Sequence, residues 1–171
     1  MNRGILGHPF RVLLATGKSL ALLHLCLTHG LSFGAGWGPS MLPTFLVTQE
    51  WLVTDRRCRR GRGVRVGDCV AYEIPVEPGE EGVKRVMGLP GDYVLLNSPG
   101  SRNENMIQVP KGHCYIVGDN LPWSRDSRDF GPVPLGLIKG KVIAKISMDS
   151  WWPGDWFSKV ENGVKTPTSS P

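Results

Sequence analysis

The chain has 171 residues, of which 40 % are hydrophobic and 20 % are charged, and this composition predicts one folded domain with a short appendage. The net charge of +5 fits contact with an anionic membrane surface and is too small to indicate a nucleic-acid partner. With 22 glycines and 14 prolines, the sequence favours short strands and turns over long helices. The four cysteines form no Cys-x-x-Cys pair, so no zinc site is expected, whereas pairing of Cys58, Cys69 and Cys114 stays open.

An apolar segment, residues 12–33, is the first predicted element. Its length of about 22 residues is enough to cross a bilayer core, although one lysine and two histidines interrupt it. Arg3 and Arg11 precede the segment, and the positive-inside rule then keeps the amino terminus on the inner side of the membrane. We therefore expect residues 1–33 to hold a membrane-anchoring helix. A cleaved secretory signal, a mitochondrial import signal and a core or interfacial helix are the alternatives.

From residue 34 onward the chain reads as a mainly β domain. Short β-prone runs are separated by glycine, proline, aspartate and asparagine, and no long helical period appears. We expect the β domain to cover residues 34–157 and a polar, disordered tail to cover 158–171. The predicted strands lie at residues 45–47, 51–54, 69–72, 93–96, 114–117 and 141–146.

A dense basic run lies between two of these predicted strands. One interpretation is contact with phosphate groups or anionic lipid, and the other is a solvated loop. Few aromatic residues are interleaved with the basic ones, which favours the solvated loop, and the role of the run stays open. The run consists of Arg56, Arg57, Arg59, Arg60, Arg62 and Arg65.

The stretch GWGPSMLPTF, residues 36–45, follows the apolar segment and sets Ser40 on a turn stiffened by glycine and proline. A serine hydroxyl needs a base before it can attack an amide, and histidine is the usual one. His113 is the one histidine outside the amino-terminal segment, and no His-Asp-Ser arrangement surrounds it. The remaining base is a lysine, which must be neutral to accept a proton.

Lys84, in GVKRVMGLPGD (residues 82–92), is the candidate base. Its ordinary pKa is about 10.4, and desolvation by apolar neighbours is the effect that lowers a lysine pKa towards neutrality. Alternation along a strand sends Lys84 and Arg85 to opposite faces, and we expect one to point inward and the other to solvent.

A third stretch, residues 118–132, is a charge-dense loop between strands. Asp126 and Arg128 can pair and lock this loop, and Ser124 can exchange a hydrogen bond with a neighbouring amine.

Taken together and in order, these stretches resemble the motif boxes of the type I signal peptidases, peptidase family S26. The resemblance covers residues 36–142, most of the chain. The matching motifs are GPSMLPTF, RVGDCVAYEIP, VKRVMGLPGDYV and GHCYIVGDNLPWSRDSRDFGPVP. The resemblance implies a coiled β-sheet domain of the signal-peptidase and repressor-protease type, with one amino-terminal anchoring helix. It also implies a serine endopeptidase that needs neither cofactor nor metal and removes targeting peptides from precursor proteins.

By motif match, the resemblance implies that Ser40 is the nucleophile and Lys84 the general base. Ser124 would orient the lysine, while Asp126 and Arg128 would shape the site. The backbone N–H of Ser40 would hold the oxyanion. Many bacterial members carry a serine two positions before the nucleophile, where this chain has a glycine, so the second oxyanion donor is unassigned.

Within the family, the chain looks most like the mitochondrial inner-membrane branch. The grounds are the short single anchor, the acid-poor start and the short gap between Lys84 and the loop at residues 118–132. This resemblance implies a catalytic domain facing the intermembrane space and a heteromer with a related catalytic subunit. The endoplasmic-reticulum branch uses histidine in place of the lysine.

Three other interpretations share some of these features. A bacterial or plastid signal peptidase would use the same chemistry in another membrane. A self-cleaving repressor-type protease would need a DNA-binding head, where this chain has the apolar segment. A non-catalytic membrane adaptor would use the basic run and leave Ser40 without a role.

Overall fold

A long helix followed by a β-sheet domain makes up the computed structural model, which describes residues 9–48, 50–96, 105–147 and 156–163. Helix α1 (Pro9–His29) leads through one residue into strand β1 (Leu31–Gly36). The further strands are β2 (Glu50–Asp55), β3 (Cys69–Glu73), β4 (Glu81–Gly88), β5 (Tyr93–Leu95), β6 (Met106–Gln108), β7 (His113–Val117), β8 (Val133–Pro134), β9 (Ile138–Ser147) and β10 (Phe157–Lys159), and a one-turn helix α2 (Ser127–Phe130) precedes β8.

Helix α1 has 21 residues, and no residue of it is buried in the part of the chain that the structure describes. At about 1.5 Å per residue it is about 30 Å long, the thickness of a bilayer core. The core-helix alternative is therefore wrong, and α1 has the length and composition of a membrane span. The predicted apolar segment runs too far at its carboxyl end, because Leu31–Gly36 form a strand rather than helix.

The main sheet is antiparallel, with the order β1-β2-β9-β3-β4-β7-β8, and β10 pairs with β9. Strands β5 and β6 form a separate hairpin. The pairing of β9 shifts register at Val53/Thr54 on β2 and at Ala71/Tyr72 on β3, and such bulges bend a sheet. The sheet curls as a result, and the mainly β fold with one amino-terminal helix is confirmed.

Most of the predicted strands are present, and the exceptions have physical causes. The run at residues 45–47 is not a strand. Its apolar pattern has another cause, because the Phe45 side chain packs in the core and is 4 % exposed. Strand β1 was not predicted, since its three polar or glycine positions weaken the β pattern. Beyond residue 157, β10 pairs with β9 and Gly163 donates its N–H to the Gly67 carbonyl at 3.1 Å. Residues 158–163 therefore pack on the domain, and the rest of the expected tail lies outside the described residues.

Both faces of the central strands are buried. On β3, Val70 and Tyr72 belong to one apolar cluster, while Cys69 and Ala71 belong to another on the opposite face. This two-sided burial explains why the strands read as continuous apolar runs instead of alternating with polar residues. All four cysteines are free thiols, and burial raises the pKa of Cys69 to about 12.

Replacing Val86 by alanine tests this core. Val86 lies in the middle of β4 with 0 % exposure, so Val86→Ala should lower the free energy of unfolding by about 2 kcal/mol. The same change at Val76, which is 45 % exposed, is the matched control and should cost less than about 0.5 kcal/mol. Denaturant unfolding of the detergent-solubilised chain measures both, and equal losses would contradict the assignment of Val86 to the core.

Candidate active site

Ser40 lies in a single 3₁₀ turn, Pro39–Met41, directly after Gly38. Gly38 has a φ of 96°, a conformation that favours glycine, and Pro39 presets the backbone for the turn. Met41 and Phe45 are each 4 % exposed and anchor the turn in the core. The chain therefore presents Ser40 on a turn that is fixed by backbone conformation on one side and by burial on the other.

The loop that follows β7 holds this turn from outside. Asn120 donates its backbone N–H to the Ser40 carbonyl and its side-chain amide to the Pro39 carbonyl, each at 3.0 Å. Gly118 lies so close that an added β-carbon would be 2.5 Å from the Ser40 carbonyl oxygen and would overlap Ser124 Oγ. Gly118 is therefore in direct contact with both Ser40 and Ser124, and this contact joins two of the sequence motifs.

Lys84 lies in β4 and is 6 % exposed. Burial lowers the pKa of its amine below the ordinary value, and nearby Asp126 opposes this effect while Arg128 reinforces it. Lys84 and Ser40 line the same cleft. The structure thus places a lysine with a lowered pKa at the cleft that also contains the candidate nucleophile.

Asp126 is the centre of a buried hydrogen-bond cluster behind this cleft, with 0 % exposure. Its Oδ2 accepts bonds from Ser124 Oγ at 2.6 Å and from the Gly118 N–H at 3.0 Å, and Arg128 Nε donates to its Oδ1 at 2.8 Å. Burial alone would raise the pKa of Asp126, but the bonds from Arg128, Gly118 and Ser124 outweigh it and hold the pKa below its usual range. The predicted pairing of Asp126 with Arg128 is confirmed.

Arg85 lies on the other face of β4 and makes a second connection to the segment that holds Ser40. It donates to both carboxylate oxygens of Asp119, each at 2.7 Å, and Asp119 also accepts a bond from the Thr44 hydroxyl. The expectation that Lys84 and Arg85 point to opposite faces is right, since they line different cavities. The expectation that one faces solvent is wrong, because the Arg85 side chain is 12 % exposed and covered by the loop after β7.

Glu50 fixes the chain that follows the Pro39–Met41 turn. This residue was not identified from the sequence. It is 2 % exposed, accepts the Leu46 N–H at 2.8 Å and pairs with Lys145 at 3.0 Å. Lys145 also donates to the Thr44 carbonyl at 2.9 Å. A lone glutamate before an apolar strand gives no sequence signal for this role, since its partner is 95 residues away.

The cleft has a volume of about 650 Å³ and runs between β1 and the start of β4. Residues 32–37 contribute to one side and residues 81–84 to the other, with Ser40 and Lys84 among the lining residues. All five residues singled out from the motifs lie at this cleft or in the cluster behind it: Ser40, Lys84, Ser124, Asp126 and Arg128.

The fold and the cleft together define a candidate serine hydrolase, and similarity to known proteins narrows the class. The family profile described as "Signal peptidase, peptidase S26" matches residues 12–100 and 97–147. The chain belongs to this family of membrane peptidases and is a serine protease.

The more specific similarity is to mitochondrial proteins. A Saccharomyces cerevisiae protein named mitochondrial inner membrane protease subunit 1 is 37 % identical over 150 residues, which span 80 % of this chain and 79 % of the relative. The Homo sapiens protein of the same name is 36 % identical over 153 residues, spanning 90 % and 89 %. The structure of a signal peptidase I from Enterococcus faecalis aligns over 47 % of this chain and 97 % of that one, with 24 % identity. Its TM-score is 0.40, too low to add to the assignment.

A methyl group at Gly118 tests the packing of the site. Gly118→Ala would push the loop away from Ser40 and Ser124, and we expect the rate of peptide-bond cleavage to fall by about 100-fold or more, since small displacements of reacting groups are costly. Gly136→Ala is the matched control, because an added β-carbon there meets nothing within 4 Å. Initial cleavage rates and circular dichroism of both variants give the result, and unchanged cleavage by a folded Gly118→Ala chain would contradict the contact.

Proposed function

We propose that this chain is a membrane-anchored serine endopeptidase with a Ser/Lys dyad that removes amino-terminal sorting peptides from precursor proteins. The observation that carries the proposal is the buried amine of Lys84, with its lowered pKa, at the same cleft as Ser40. A serine protease needs a base for its nucleophile, and among the groups described at this cleft Lys84 is the one whose amine is prepared to accept a proton.

The chemistry is acyl transfer in two steps. Neutral Lys84 takes the Ser40 proton while Ser40 Oγ bonds to the scissile carbonyl carbon, and the C–N bond then breaks as Lys84 returns the proton to the leaving amine. In the second step a water gives a proton to Lys84 and attacks the acyl-enzyme, and Ser40 Oγ leaves with a proton. Lys84 thus ends each cycle neutral and ready for the next.

Ser124 is suited to orient the lysine. Its hydroxyl proton is committed to Asp126 Oδ2 at 2.6 Å, so towards any other neighbour Ser124 offers lone pairs. A Lys84 N–H can donate to those lone pairs, which leaves the nitrogen lone pair for the Ser40 proton. Asp126 and Arg128 hold Ser124 in that state and therefore act as positioning residues.

The oxyanion is assigned to the backbone N–H of Ser40. Gly38 does not supply a second donor, because it has no side chain and its N–H already bonds to the Val47 carbonyl at 3.1 Å. The positive φ of Gly38 gives a reason for the glycine, since a serine at the same position would be strained. Loss of one oxyanion donor costs about 3 kcal/mol, so a second donor from substrate-bound water or another backbone group is required for a fast reaction.

The substrate is proposed to bind as an extended peptide along β1. Strand β1 ends the sheet, and in the described part of the chain it pairs with β2 alone, so its second edge is available for strand addition. Gly34 and Gly36 lie on that strand and line the cleft, which allows close approach of a peptide backbone. Shallow pockets beside them would select small residues before the cut.

The location and partner follow from the relatives and the helix. The relatives are named as subunits of a mitochondrial inner membrane protease, which supports placing this chain in that membrane as part of a heteromer with a related catalytic subunit. The basic amino-terminal residues favour the matrix side for the amino terminus, so the catalytic domain would face the intermembrane space.

Removing either member of the dyad tests the mechanism. Ser40→Ala and Lys84→Met should each lower the rate of precursor cleavage by at least about 100-fold, because one removes the nucleophile and the other the base. Cleavage by the purified full chain in detergent gives the rates, and circular dichroism confirms folding. Ser158→Ala and Lys111→Met make the same changes at exposed positions outside the cleft and should leave the rate unchanged. Wild-type activity in Ser40→Ala or Lys84→Met would refute the dyad.

A further inference from the structure

The arginine segment, defined here as residues 56–65, begins where the anchoring helix ends. The Arg56 N–H donates to the carbonyl of Gly30 at 2.8 Å, and Gly30 is the residue directly after α1. The register of β1 with β2 pairs Leu31 with Asp55, so the last residue of β2 lies beside the first residue of β1. The segment is therefore adjacent to the helix end in space, although Arg56 lies 26 positions after Gly30 in the chain.

The carboxyl end of α1 would lie at the membrane interface, next to the β domain. The 21 residues of α1 span about the thickness of the hydrocarbon core, so if one end is at an interface the other is as well. A group bonded to Gly30 then lies within one screening length, about 8 Å, of the lipid headgroups.

The charge of this segment is largely uncompensated. It contains six arginines and no acidic residue. Within the described ranges of the chain, Arg57 is the one member paired with a carboxylate, that of Asp55 at 2.8 Å. The nearby carboxylate of Asp68 is already committed to Lys141 at 2.8 Å. The four exposed members are Arg57, Arg60, Arg62 and Arg65.

The segment is held in place rather than free in solvent, which distinguishes it from an ordinary polar loop. Asp55 accepts the Arg57 N–H at 2.9 Å and begins the 3₁₀ segment Arg56–Gly61. Gly61, with a φ of 75°, packs so closely on Leu135 that an added β-carbon would be 2.6 Å from its Cδ2. Val64 is 7 % exposed in the core. The arginine backbone is thus preorganised, and less entropy is lost when a ligand binds.

We propose that the arginine segment binds the anionic phospholipid headgroups of the membrane that α1 spans. Guanidinium groups bind phosphate in a two-pronged geometry, and several of them on one anchored segment beside a membrane helix favour anionic over zwitterionic lipid. The contact seats the domain against the bilayer at the start of β1, the strand that leads to the nucleophile turn. The proposal rests on the anchoring role of α1 and is independent of the Ser/Lys chemistry.

Thermal unfolding of the full chain in lipid nanodiscs tests this contact. The discs contain phosphatidylcholine alone or with one third phosphatidylglycerol. We expect the unfolding midpoint of the wild-type chain to be about 5 °C higher in the anionic discs. The difference should vanish in molar salt, where the screening length falls to about 3 Å. Inorganic phosphate added to the zwitterionic discs should not reproduce the shift; if it does, a soluble anion site replaces the lipid surface.

Charge-matched variants assign the effect to the segment. Arg60→Gln with Arg62→Gln should lose at least half of the lipid-dependent shift. Arg125→Gln with Lys159→Gln also removes two charges from exposed positions and should retain it. Because each variant is compared with itself in the two disc types, changes in intrinsic stability cancel. Equal loss in both pairs would overturn the assignment to this segment.

Alkaline carbonate extraction from vesicles separates this proposal from the proposed function. A chain that stays in the membrane but shows no lipid-dependent shift overturns the headgroup contact alone. A chain that carbonate extracts from vesicles of either lipid composition, with or without phosphatidylglycerol, overturns the anchor and, with it, the headgroup contact. Precursor cleavage is read separately and reports on the dyad in either case.

Discussion

The burial of the Lys84 amine is the constraint on which the rest of the site depends. A lysine that is 6 % exposed and lies near Asp126 and Asp119 would ordinarily be held as an ammonium ion. Here Asp126 is paired with Arg128 and Asp119 with Arg85, so both carboxylates are neutralised locally and desolvation dominates. A lysine pKa that falls on folding makes the folded state less stable at neutral pH, and stability rises as pH rises towards the ordinary lysine pKa. The site therefore gives up some stability to hold a lysine with a lowered pKa.

The Arg85–Asp119 ion pair also helps to bring Ser40 and Lys84 to one cleft, although the two residues are 44 positions apart in the chain. Arg85 follows Lys84 in β4 and reaches Asp119, while the next residue, Asn120, bonds to the Ser40 carbonyl. One short loop thus fixes the turn that holds Ser40, the proposed nucleophile, relative to the strand that holds Lys84, the proposed base. At the other end of the domain, β1 connects the anchoring helix to the turn that carries Ser40. Strand β1 covers about 20 Å of the path between the end of α1 and this turn.

The sequence could predict those features of the site that depend on residues close together in the chain, and it missed those that depend on distant partners. Ser40, Lys84 and the Asp126–Arg128 pair could be named because each lies in a compact motif with a recognisable pattern. Strand β1 escaped prediction, since one serine and two glycines weaken its β pattern and its first residues follow directly on the apolar segment. The roles of Arg85 and Glu50 depend on partners 34 and 95 residues away, which no local pattern reveals. The arginine run was left open for the same reason, because its position beside α1 is a property of the folded sheet.

A direct titration of Lys84 tests the central claim. In the full Ser40→Ala chain, selectively labelled lysine side chains would be followed by nuclear magnetic resonance as pH is raised, and the Lys84 signal would be assigned by its absence after Lys84→Met. The account predicts a pKa clearly below the ordinary value of about 10.4. A Lys84 amine that titrates at or above 10.4 would be an ordinary ammonium ion at neutral pH, and the proposed base would not exist.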